Sequence, residues 1–144
     1  MARNVARMNR RNWLLLAVGD YIEPIQLQKT MFKFAMEAGA PAAECYEFRP
    51  YNWGPMAPDI YPDLGKLRAA GLIENVQGGT DWNAYKLTAK GEEQARRLRK
   101  RAPSGLVAEL DSKRDWVTSR PFRKLLRDVY KAYPEFAKES LFRA

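Results

Sequence analysis

Apolar residues recur along this chain mainly at helical spacing, with short intervals of alternation. Between Arg10 and Asp20, the positions Trp13, Leu14, Leu16, Ala17 and Val18 describe a helix with one broad buried face. Pro24 closes that unit and suits the first position of the next helix, where a missing N–H costs nothing. Leu27, Met31, Phe34 and Ala38 then form one stripe of a helix over residues 24–38. Lys29, Lys33 and Glu37 fall on a second stripe, expected to face solvent. Gly39 and Pro41 stop this helix. Tyr46, Phe48 and Tyr51 suggest an extended segment leading into Trp53-Gly54-Pro55.

Residues 46–74 read as the architectural centre. Ile60, Leu64 and Leu67 stand at i, i+4 and i+7, which predicts a helix over residues 58–70. Pro58 and Pro62 predict an irregular first turn, or a regular start only near Tyr61. Gly71 supplies the left-handed residue that ends helices, and Leu72, Ile73 and Val76 open a β-like run. Strands over 72–76 and 83–87 flank Gln77-Gly78-Gly79-Thr80-Asp81, a turn rich enough in glycine to close a hairpin. A helix running into such a hairpin is the core unit of a winged helix-turn-helix, the hairpin being its wing.

Thr88 is placed to cap a helix over 89–100, with Glu92 and Glu93 in its first turn and Arg97, Arg99 and Lys100 in its last. That polarity complements the helix dipole at both ends. Gly91 is expected to permit a close approach in the first turn. After a break at Pro103-Ser104-Gly105, Leu106, Val107 and Leu110 suggest a short helix. From Pro121 onward, Phe122, Leu125, Leu126, Val129, Tyr130 and Tyr133 form a strongly amphipathic segment. Its apolar face must be covered, by its own domain or by a second subunit, and a homodimer through this segment is expected. The predicted fold class is therefore α+β, mainly α: a winged helix-turn-helix with a short β-hairpin wing and additional C-terminal helices. Residues 1–102 form the winged unit with a basic N-terminal arm. Residues 103–144 form a helical extension, packed on the same domain or at a dimer interface.

Composition narrows the function. The 144 residues contain no histidine and one cysteine, Cys45. The commonest general base and metal ligand are absent, and a lone cysteine has neither a disulfide partner nor a histidine to activate it. No phosphate-binding loop, dinucleotide fingerprint or nucleophile elbow occurs. A non-enzymatic protein without cofactor or metal is expected. No apolar run is long enough to span a bilayer, and Trp13–Val18 is too short and lacks a cleavage site for a secretory signal, so a cytoplasmic location off the membrane is expected.

The net charge is +8, and it is concentrated. Arg3, Arg7, Arg10 and Arg11 make the N-terminal arm, and Lys86, Lys90, Arg96, Arg97, Arg99, Lys100 and Arg101 make a second cluster. Clusters of this kind attract polyanions at long range.

The blocks LQKTMFKF (27–34), GPMAPDIYPDL and LRAAGLIE within 54–74, YKLTAKGEE (85–93) and LLRDVYKAYPEFAKES (125–140) resemble the YwgA-like proteins. These are small prokaryotic winged-helix proteins with related domains in phage-associated and toxin–antitoxin contexts. The resemblance covers most of the chain, in order. It implies a winged helix-turn-helix linked to DNA.

Double-stranded DNA is thus the expected partner and transcriptional regulation the expected role. The helix over 58–70 would enter the major groove, presenting Asp59, Tyr61, Asp63, Lys66 and Arg68. Lys66 and Arg68 would serve phosphates or guanine edges, whereas Asp59 and Asp63 would be repelled. The affinity would come largely from Arg7, Arg10 and Arg11, from Lys29 and Lys33 of the second helix, and from Arg96, Arg97, Arg99 and Lys100. The alternative is a protein-interaction module, antitoxin-like or phage-associated, that holds a partner protein through exposed aromatics such as Tyr51, Trp53 and Trp82.

Overall fold

The computed structural model describes residues 8–77 and 83–142. Arg7, the Gly78-Gly79 turn and Trp82 lie outside the described residues. The architecture is α+β and mainly helical, with six α-helices and one two-stranded antiparallel sheet among the described residues. In order these are α1 (Arg10–Val18), α2 (Pro24–Glu37), α3 (Ile60–Ala69), β1 (Ile73–Gln77), β2 (Asn83–Leu87), α4 (Ala89–Arg101), α5 (Ser104–Thr118) and α6 (Phe122–Ala132). None of the helices is long and apolar enough to cross a membrane.

α1 and α2 form the centre of the packing: α1 meets α2, α3, α4, α5 and β2, and α2 lies along α5. Leu27, Met31 and Phe34 join the main core with Trp13, Leu16, Ile60, Leu64 and Ile73. Phe32 points to the other side, into a second cluster with Val117, Leu125 and Val129. There its ring meets Phe48, Tyr133 and Phe136 edge-on, at centroid distances of 5.4, 4.9 and 4.8 Å. Every residue from Leu27 to Phe34 is buried. A stretch covered all round cannot offer a solvent stripe, so the expectation that Lys29 and Lys33 face water is corrected, whereas Glu37, past the covered stretch, is exposed as expected.

Two parts of the chain provide that cover. The connection over 38–59 lies on α2 and is held by the Gln28 amide, which accepts from Ala57 N at 2.9 Å and donates to Ala57 O at 3.2 Å. The C-terminal helices form the rest: α5 runs along α2, and α6 buries Leu125, Leu126 and Val129 within the same chain. The apolar face of α6 therefore needs no second subunit. Beyond α6, Leu141 N donates to Asn52 O at 2.9 Å, which ties the described end of the chain to the 38–59 connection.

β1 and β2 pair in the register Ile73↔Leu87 to Gln77↔Asn83. A third short element joins them that periodicity did not indicate: Ile22 and Tyr85 exchange backbone hydrogen bonds, both at 2.9 Å. α3 begins at Ile60, which puts Pro62 at the third helical position. The N–H groups of the first helical turn have no partner within the helix, so Pro62 leaves the ladder intact. Thr88 caps α4 by accepting from Gly91 N at 3.0 Å. Gly91 packs on Leu72 so closely that a Cβ there would lie 1.9 Å from the Leu72 carbonyl oxygen.

Arg114 of α5 clasps the end of α1. Its guanidinium donates to Ala17 O at 2.7 Å, Val18 O at 2.9 Å and Tyr21 O at 2.7 Å. These include carbonyls that a helix end leaves unpaired. A cation at a helix C-terminus is also stabilised by the dipole. One side chain thus locks the C-terminal helices to the first helix.

Candidate nucleic-acid interface

The expected DNA-contacting residues divide into three groups. Lys29 and Lys33 are buried, at 2% and 8% exposure. Lys29 Nζ donates to Pro55 O at 3.2 Å. Lys33 Nζ pairs with Glu37 at 3.1 Å and sits over the Trp116 ring, 3.8 Å from its centroid. Neither can reach a phosphate.

Arg10 and Arg99 are held by carboxylates. Arg10 bonds Asp59 at 3.3 Å, lies 3.7 Å from Asp63 and stacks over Tyr46 at 4.8 Å. Asp63 is itself buried, contrary to its expected place on the exposed side of α3, and accepts from Tyr46 OH at 2.7 Å. Burial, and then the Asp63 carboxylate, push the Tyr46 phenol well above its usual pKa. The acidic start of α3 is therefore an internal joint between α1, α3 and Tyr46, with Asp59 on its exposed rim. Arg99 makes two bonds of 2.9 Å to Asp111, fastening α4 to α5.

The remaining cations keep enough exposure to meet a ligand, although Arg11 Nη1 also lies 4.0 Å from the buried Asp63 carboxylate. Arg11 and Lys66 line an open groove of about 430 Å³ between α1, α3 and α4, together with Asn12, Ala70 and Gln94. On α4, Lys90, Gln94, Arg97 and Arg101 stand at spacings of four, three and four residues, so they form one stripe along that edge. Lys90 also donates to Ala70 O at 2.9 Å, closing α4 onto the end of α3. Arg97 shares Glu93 with Arg96, an exposed cluster in which pairing is weak. Arg68 points away from this groove, toward Asn75 of β1 at 3.0 Å. Lys100 is exposed beside the stripe.

The structure thus brings Arg11 and Lys66 together beside the Arg97 stripe and removes Lys29, Lys33, Arg10 and Arg99. Lys90 and Arg101, recognised in the sequence only as part of the basic cluster, belong with Arg97. Their position relative to Gln94 is a helical-period signal and could have been read directly.

A second concavity, of about 610 Å³, lies on another side of the molecule, between the start of α2, residues 51–56 and the start of α6. Tyr51, Trp53, Tyr61 and Phe122 line it, each more than a third exposed. Burial lowers the pKa of Lys29, on its wall, to about 7. No protein-family model, curated protein or solved structure matches this chain.

Proposed function

We propose that the chain is a winged-helix protein that binds duplex DNA through the groove face of α1, α3 and α4. The order helix, bridging strand, two helices and hairpin, with Ile22 paired to Tyr85, supports the winged-helix reading. The observation that carries the function is the convergence of Arg11 and Lys66 on one groove, edged by Lys90, Arg97 and Arg101. No carboxylate is among the described residues lining that groove, although the buried Asp63 lies 4.0 Å from Arg11. Cations on this spacing suit the phosphates of a duplex, which position the protein without reading sequence. A role in transcriptional regulation follows if the exposed residues of α3 then reach base edges.

The test is the triple substitution Lys66→Ala, Arg97→Ala, Arg101→Ala. In a mobility shift with a short duplex at low salt, the variant should lose binding while keeping its helical circular dichroism. A folded triple variant that shifts DNA like the parent would overturn the assignment. A partner-protein role would instead give binding that barely responds to salt.

A further inference from the structure

The cavity walled by Lys29 has no part in the DNA reading and stands independently of it. Lys29 leaves α2 beneath the turn at Gly54, where a Cβ would lie 2.9 Å from Lys29 Cε and 3.4 Å from Nζ. Only glycine lets the lysine pass, and Gly54 also has the positive φ, 95°, that glycine tolerates. Nζ has three N–H groups and, among the described residues, one hydrogen-bond acceptor, Pro55 O. No carboxylate among the described residues pairs with it.

The other charges on the lining do not serve it. Arg120 is committed to Asp128 at 2.8 Å and to Trp116 O at 2.8 Å. Glu23 stands at the N-cap position of α2, six residues or roughly 9 Å of helix rise from Lys29. A buried ammonium held by a single carbonyl is costly unless an anion joins it, and burial pulls its pKa to about 7. Around it, Trp53 and Phe122 meet edge-on at 5.8 Å and form an aromatic wall. A largely apolar concavity of this size with one convergent charge has the form of a small-molecule site.

We infer that this cavity binds a small organic acid with an aromatic or similarly apolar body, its carboxylate paired with Lys29 and its ring against Trp53 and Phe122. The anion would supply the acceptor that the ammonium lacks. The body would cover the exposed aromatics.

The test uses 4-phenylbutyrate and its neutral counterpart 4-phenylbutyramide on the intact chain, followed by calorimetry and tryptophan fluorescence near pH 6. The acid should bind saturably and at least ~10-fold tighter than the amide, the range expected for a hydrogen-bonded charge. Trp53→Phe should abolish the fluorescence change, and Lys29→Met should erase the preference for the acid. Absence of saturable binding up to about 10 mM, an affinity too weak for a specific site, would overturn the inference. Equal affinity for acid and amide would also overturn it, and this comparison needs no variant to fold. A saturable acid whose signal survives Trp53→Phe in a folded protein would place the ligand elsewhere and refute the site.

Discussion

Replacing Lys29 by methionine should stabilise this protein, although it deletes a hydrogen bond. The lysine is 2% exposed and its pKa falls from 10.5 to about 7. That difference of roughly 3.5 units corresponds to about 5 kcal/mol at ~1.36 kcal/mol per unit. Below about pH 7 the ammonium is charged in both folded and unfolded chains, so the whole cost of burying it is present. Between about 7 and 10.5 the unfolded chain binds the extra proton, so wild-type stability rises with pH. Above 10.5 the amine is neutral in both states and the cost is gone. Methionine fills nearly the same space without charge, but it leaves the Pro55 carbonyl unpaired, at about 1–3 kcal/mol. The net expectation is a gain of about 2–4 kcal/mol near pH 6, shrinking by ~1.4 kcal/mol per pH unit above neutrality. Urea denaturation of both proteins at several pH values measures the gap directly. A variant less stable than wild type near pH 6, or a gap that does not change between pH 6 and 10, would refute the reasoning.

Two further substitutions test how the helices are joined. Gly91→Ala places a methyl 1.9 Å from Leu72 O and 2.9 Å from Leu72 C, both backbone atoms that cannot rotate away. Helix propensity alone would make alanine better by about 1 kcal/mol, whereas the clash should destabilise by roughly 1–3 kcal/mol, so the sign of the change in urea midpoint decides. Arg114→Lys keeps the charge but loses the fork that reaches Ala17, Val18 and Tyr21. It should cost about 2–3 kcal/mol, and hydrogen exchange at the end of α1 should speed up. Unchanged exchange there would contradict the clasp.

Much of the helical framework was legible because it rests on local rules. The cap at Thr88, the stop at Gly71, the pairing of two hairpin strands and the amphipathic α6 each follow from residues close together in sequence. The surface of α2 was not legible in the same way. The stripe through Leu27, Met31 and Phe34 assigns Lys29 and Lys33 to water, yet that side is covered by the 38–59 connection folding back and by α5 and α6, both distant in sequence. Phe32 carried the one local hint, as a large apolar residue off the stripe. The candidate site divides along the same line. Lys66 and Arg97 stay exposed, and Arg11 is half-buried with Asp63 at 4.0 Å, but Arg10 and Arg99 are taken by Asp59 and Asp111 through contacts 49 and 12 residues apart. Pairing over such distances depends on the fold, and net charge says nothing about it. Residues 46–74 still contribute α3 and Lys66, but the packing centre is the pair α1 and α2.

The salt dependence of duplex binding tests the central claim most directly. Fluorescence anisotropy with a labelled duplex, titrated across a range of salt, yields the slope of log affinity against log salt. Each phosphate contact contributes about −0.9 to that slope. Removing Lys66, Arg97 and Arg101 together should therefore flatten it by roughly 2–3, whereas Lys33→Met, which removes only a buried cation, should leave it unchanged. A steep slope for the parent chain that falls by that amount is the result predicted for a DNA-binding face on α1, α3 and α4. A flat slope for the parent, or the same slope in parent and triple variant, would contradict it.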